Sequence, residues 1–148
     1  MNKENIISGL NDLLAKNYDA ERGYNNAAQK TDNPILKSFY RSKASNRYSY
    51  GHQIKDILRG MGAEIDKGTS IAGDLHNAWI NFRNIFSFNT EEAILDEVER
   101  GEEASLNEYD DFLENNEVSD QIRQVITYQR NNIARALNKV DMFEDQIS

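Results

Sequence analysis

The sequence predicts an all-α protein, a four-helix bundle of up-down-down-up order with a short extra helix in a long crossover between helices 2 and 3. Three observations carry this reading. Apolar residues recur at three-and-four spacing in four long blocks. The chain holds 1 Pro and 8 Gly in 148 residues, too few breakers for a turn-rich sheet protein. Strand-like alternation is nowhere sustained. A chain of this length suits one core, so residues 1–148 are expected to form a single domain.

The first stripe runs through Ile6, Ile7, Leu10, Leu13, Leu14, Tyr18, Tyr24 and Ala28 and ends near Thr31-Asp32-Asn33. Pro34 then sits at a first-turn position, and Leu36, Phe39, Tyr40, Tyr50, Ile54, Ile57, Leu58 and Met61 form a second stripe that stops at Gly62. The short turn between these helices makes them antiparallel neighbours. Residues from Gly62 to Thr69 read as loop. Ser70 then caps a shorter amphipathic helix carrying Ile71, Leu75, Trp79, Phe82, Ile85 and Phe86, whose aromatic face packs onto the bundle. Thr90-Glu91-Glu92 opens a long third helix with Ile94, Leu95, Val98, Leu106, Tyr109, Phe112 and Leu113. The last helix opens near Ser119 and carries Ile122, Val125, Ile126, Ile133, Ala136, Leu137, Val140, Phe143 and Ile147. Helices of this length reach roughly 40 Å at 1.5 Å per residue, and the connector between the second and third can return along much of that length. Two hairpins joined by such a crossover produce the predicted order.

Composition narrows the function. Lys and Arg number 17 against 25 Asp and Glu, a formal net charge of −8, which argues against binding nucleic acid or an anionic membrane surface. With no Cys, disulfides, thiolate nucleophiles and thiolate metal sites are excluded. Two His and no Gly-rich phosphate loop or nucleophile elbow make triad or nucleotide chemistry improbable. The N-terminus lacks the basic start and apolar run of a signal peptide, and no window approaches a membrane span, so cytoplasmic residence is expected.

Two acidic signatures stand out, Glu21-Arg22-Gly23 and Glu99-Arg100-Gly101-Glu102, and the repeated Glu-Arg-Gly hints at an internal duplication. At 100° per residue Glu21 falls near the middle of the first stripe, Glu102 lies in line with Val98, Leu106 and Tyr109, and Glu99 flanks that line. Carboxylates on core-facing positions of separate helices are how a bundle builds a di-metal site. Such a site also needs a Glu-x-x-His on each of two helices, and both are missing. His52 projects away from its stripe and His76 belongs to the connector. Lys43, Asn46, Arg47, Gln129 and Asn132 fall in the same middle layer, and Lys43 and Arg47 put positive charge where a cation would bind. Glu21, Glu99 and Glu102 are therefore read first as a buried polar cluster with Lys43, Arg47, Gln129 and Asn132, the remains of a degenerate metal site. The second reading is a single site in which Glu21, Glu99 and Glu102 hold a divalent ion such as iron, partly through water.

The run from Ser70 to Asn81, SIAGDLHNAWIN, followed by Glu99-Arg100-Gly101-Glu102, resembles a bacterial family of ferritin-like four-helix-bundle proteins that carries a domain-of-unknown-function label. The likeness covers nearly the whole chain, including Glu21-Arg22-Gly23-Tyr24 and Arg47. It implies a fold of the ferritin and rubrerythrin superfamily and no established activity. Asn132 and Arg135 stand where a ferritin-type relative would carry Glu and His, a departure that counts against iron oxidation. The expectation is a non-enzymatic structural or interaction module, with no resident cofactor, self-associating most simply as a dimer and linked to stress response by fold analogy. The alternative is a metal-binding, ferritin- or rubrerythrin-like oxidoreductase with a reduced ligand set.

Overall fold

Each helix begins where a side chain takes over backbone donors that a first turn leaves unpaired. The structure, a computed structural model, describes residues 2–65, 79 and 90–147. Helix α1 (Lys3–Lys30) opens at Asn2, whose side chain accepts from the backbone N–H of Asn5. Helix α2 (Pro34–Gly60) opens at Asn33, which accepts from both Ile35 and Leu36, with Pro34 supplying a first-turn φ that costs no hydrogen bond. Thr90 caps α3 (Glu91–Asn115) through the N–H of Ala93, and the Ser119 hydroxyl accepts from Ile122 at the start of α4 (Asp120–Ile147). At the end of α2 the chain turns through Gly62 at φ 70°, and the N–H of Ala63 bonds back to the carbonyl of Leu58. A positive φ there suits glycine alone at little cost.

The described residues are all-helical apart from these turns, with four helices and no strand. Among them, no helix is long and apolar enough to cross a membrane. Helix α1 packs along α2 and α3 along α4; α1 also meets α3, and α2 touches α4 least of the four neighbouring pairs.

The core divides into two apolar clusters. One gathers the C-terminal half of α1 (Ala20, Tyr24, Ala27, Ala28), the N-terminal half of α2 (Leu36, Tyr40, Ala44), the start of α3 (Ile94, Leu95, Val98), Val140 near the end of α4, and Trp79. The other gathers the opposite ends: Ile6, Leu10, Leu13 and Leu14 with Tyr50, Ile54, Leu58, Tyr109, Phe112, Ile126 and Ile133. The turn after α1 is tied to the start of α3, because the Thr31 hydroxyl and the N–H of Asp32 both donate to the Glu91 carboxylate. Between the two clusters lies a layer of polar side chains. The extra helix expected over Ser70–Phe86 falls outside the described residues except for Trp79.

Candidate functional site

Interrupting an apolar core with polar groups is tolerable only if nearly every donor and acceptor finds a partner. The middle layer meets that condition through one connected network. Arg47 of α2 is 2% exposed and Glu102 of α3 is 1% exposed. One guanidinium nitrogen donates to Glu102 Oε1 in an ion pair, and another donates to Asn17 Oδ1 at 2.9 Å. The second Glu102 oxygen accepts from the Tyr24 hydroxyl at 2.6 Å. Asn17 passes the network on by donating to the Tyr109 hydroxyl at 2.8 Å and to the carbonyl of Leu13. Tyr109 donates to Gln129 Oε1 at 2.6 Å, and the Gln129 amide donates to Gln53 and to the carbonyl of Tyr50.

All four helices thus contribute. Their spacing explains how: Asn17 and Tyr24 are two turns apart on one face of α1, as are Glu102 and Tyr109 on α3. Burial pushes the Tyr24 phenol well above its ordinary range, with the neighbouring Glu102 charge adding to the effect. The Tyr109 phenol is likewise pushed up, to about 12, chiefly by burial. Both remain neutral donors. Burial alone would lower the Arg47 pKa, but the Glu102 charge and hydrogen bond hold it above the ordinary value, so the cation is permanent.

The glycines of the two Glu-Arg-Gly tripeptides have a use different from carboxylate supply. A Cβ placed on Gly23 or on Gly101 would come within 3.0 Å of the Trp79 indole. The third residue of each Glu-Arg-Gly therefore leaves room for one ring, held between α1 and α3 and 3% exposed. Tyr24 packs on that indole at a centroid distance of 5.0 Å, and the Arg47 guanidinium lies 6.0 Å from its centre on the polar-layer side. The indole N–H reaches Ser105 Oγ at 3.5 Å, the long limit of a hydrogen bond.

A second group of acids lies towards the α3 start and α4 end. Asp96, Glu99 and Glu144 bring one carboxylate oxygen each within 4.8 Å of one another. Burial, hydrogen bonds to Asp96 and Glu99 and the charges of both push the Glu144 carboxyl up to about 8. The Glu99 carboxyl is raised by its hydrogen bond to Asp141, by burial and by the charges of Asp141 and Glu103.

The residues singled out in the sequence therefore separate. Glu102, Arg47 and Gln129 meet in the central network. Glu99 belongs to the outer acidic group, while Glu21 is half-buried and takes no hydrogen bond or ion pair from another described residue. Lys43 and Asn132 stand at the rim of a cavity of about 10 Å³ beside the Arg47–Glu102 pair, also lined by Asn46 and Tyr50. Lys43 reaches over the Phe39 ring at 5.6 Å, and Asn132 donates to the carbonyl of Tyr128 and accepts from Arg135. His52 is exposed and lies edge-on to Tyr48; His76 falls outside the described residues. Asn17 and Tyr109 complete the network without having been singled out as site residues. Their signal is their place on the stripes, two turns from Tyr24 and Glu102. Glu144, on a different helix from Asp96 and Glu99, has no such signal.

The central layer does not fit a metal ion. A single carboxylate faces a guanidinium already bonded to it, and the adjoining space is that of about one water. Among the described residues, fold and site define an all-helical arrangement of four helices with an ion-paired polar layer across its core. The chain belongs to the family described as Domain of unknown function (DUF2383), whose model matches residues 5–115. That span covers nearly all of α1 and the whole of α2 and α3, and so every member of the network except Gln129. No curated protein matches the chain.

Proposed function

We propose that this chain is a non-enzymatic structural or interaction module of ferritin-like, up-down-down-up order, in which a guanidinium stands where a metal-binding bundle would hold its cation. The observation that carries this reading is Arg47, bonded between Asn17 and Glu102 and sealed from solvent. In a carboxylate-bridged metal bundle the acids from several helices converge on an ion. Here Arg47 supplies the positive charge, permanently and without exchange. Support for the helix order comes from the two clusters, since the C-terminal halves of α1 and α4 share one of them with the N-terminal halves of α2 and α3. Self-association is supported by exposed aromatic and apolar side chains on α2 and α4, Tyr48, Tyr128 and Met142, and is checked by light scattering, where a monomer mass at micromolar concentration removes it.

The test is metal content by mass spectrometry on protein purified without chelator or affinity-tag metal, followed by iron titration of the wild type and of a Glu21→Gln/Glu102→Gln double variant. The expected result is that iron uptake does not depend on Glu21 or Glu102. Stoichiometric iron that disappears in the double variant would overturn this reading in favour of an oxidoreductase with a reduced ligand set.

A further inference from the structure

Charge is divided between the helices far more unevenly than the net value of −8 suggests. Helix α2 carries six Lys and Arg against Asp56 alone, whereas α3 carries eleven Asp and Glu against Arg100 alone. Both excesses are ordered. At 100° per residue Lys37, Arg41, Tyr48, His52, Lys55 and Arg59 fall within about 60° of one another on α2. On α3 the same holds, within about 60°, for Glu92, Asp96, Glu99, Glu103, Asp110 and Glu114. Each stripe runs most of the length of its helix, roughly 33 Å, and all of these residues are exposed or half-buried.

The chain leaves both stripes largely unanswered. Among the described residues Lys37, Arg41 and Lys55 form no ion pair, and neither do Glu92, Asp96, Glu103 and Glu114. Nor can the stripes answer each other. Helices α2 and α3 each pack against α1 and α4 and not against one another, so they stand diagonally across the bundle. A second copy removes that obstacle, because its α3 offers the α2 face a stripe of equal length and opposite sign. Complementary potentials of this kind steer encounter and fix register. Tyr48, 55% exposed in the middle of the basic stripe, supplies an aromatic contact of the kind enriched in protein interfaces. A nucleic acid would meet α2 equally well but would be repelled by α3; a second copy complements both faces.

We propose that the basic stripe of α2 docks the acidic stripe of α3 from a second copy of this chain, head to tail. This rests on the reading of the protein as a self-associating module and names the surfaces through which it associates. Because the two stripes lie on diagonally opposed helices, a partner that covers one leaves the other open. Association therefore continues past a pair of chains.

Sedimentation velocity of the full chain across the micromolar range, at about 20 mM and about 1 M salt, tests the proposal, since the screening length at the higher salt falls to about 3 Å. At low salt the weight-average mass should climb with concentration past twice the 17.0 kDa of one chain, and at high salt it should return to one chain. Lys37→Glu/Arg41→Glu/Lys55→Glu and Asp96→Lys/Glu103→Lys/Glu114→Lys should each be monomeric at low salt. Mixed in equal amounts they should associate again, because the reversed α2 of one meets the reversed α3 of the other; that recovery also shows both variants to be folded. A wild type that is monomeric at low salt overturns the proposal, as does a mixture of melting-competent variants that stays monomeric. Association indifferent to salt and to both sets of substitutions overturns the charged contact while leaving self-association through apolar side chains in place. A monomeric wild type that binds a single-stranded oligonucleotide, with binding lost in the α2 variant, would assign the basic face to a polyanion instead. Iron uptake that depends on Glu102 would defeat the underlying reading without changing any of these masses, so the two failures are told apart.

Discussion

Glu99 and Glu102 sit one turn apart on α3 within the same acidic motif, and the fold treats them in opposite ways. Glu102 is sealed in the core, where every interaction is strengthened by the low dielectric and an unpaired charge would cost several kcal/mol. It is met by Arg47 and Tyr24 on its two oxygens. Glu99 lies at the half-buried edge of the same helix, where water absorbs most of the charge, and its neighbours are further acids. The difference is one of depth. At Glu102, where burial forbids an unanswered charge, the chain supplies its own cation; at Glu99, where solvent reaches, acids gather and the carboxyl pKa is raised instead.

The largest effect should come from breaking the buried side of this comparison. Arg47→Met leaves Glu102 charged and without its partner and removes a donor from Asn17, so unfolding in urea should show a loss of about 3–5 kcal/mol. Adding Glu102→Leu to it should cost less than the sum of the two single changes, because the second substitution removes the orphaned charge. Additive losses in that cycle would mean that the two side chains do not act as a pair.

Next in size is the glycine cradle. Gly101→Ala drives a methyl group into the Trp79 ring and should cost about 1–3 kcal/mol, whereas Arg100→Ala beside it, on the exposed face, should stay within about 0.5 kcal/mol. Equal melting temperatures for the two variants would remove Trp79 from its place between α1 and α3. Tyr109→Phe should cost about 1–3 kcal/mol, since Asn17 and Gln129 lose the hydroxyl that joins them.

The smallest effect belongs to the outer acids and is one of pH. Glu144 holds its proton in the folded protein up to about 8 but releases it near the ordinary carboxylate value when unfolded. The unfolded chain therefore binds fewer protons between those limits. Stability from this group is fully present below the ordinary value and is lost as pH rises through about 8. The charges of Asp96 and Glu99 act on Glu144, and those of Asp141 and Glu103 on Glu99, all in the direction that raises the carboxyl. Because the group is partly exposed, solvent screening keeps the slope shallow. Melting temperatures taken from about pH 4 to about pH 9 should decline modestly across this range, and Glu144→Gln should flatten that part of the curve. An unchanged slope in Glu144→Gln would place the titration elsewhere.

Much of this protein was legible in its sequence. The four helices fall where apolar periodicity, Asn33-Pro34, Thr90 and Ser119 place them, because caps and stripes are local properties decided within a few turns of chain. A polar layer across the core was legible too, since Arg47, Glu102 and Gln129 interrupt apolar stripes at the same height. Its membership was not. A stripe assigns a residue to a face but not to a depth: the spacing puts Glu102 within its stripe and Glu99 at the edge, as the burial has them, but it also puts Glu21 near the middle of its stripe, where the packed helix leaves it only half-buried. The motif glycines are the sharper case. Their sequence signal was read through the neighbouring acids, while their role depends on an indole arriving from a distant part of the chain.

By itself, then, the sequence determined helix positions, the acidic balance and the existence of polar residues at mid-core, all of which follow from residue type and local spacing. Only the tertiary structure decided which carboxylate is paired, which glycines make room for Trp79, and which acids from α3 and α4 gather at one place. Those outcomes depend on distances between segments far apart in the chain, and a periodic pattern carries no information about what a neighbouring helix brings to meet it.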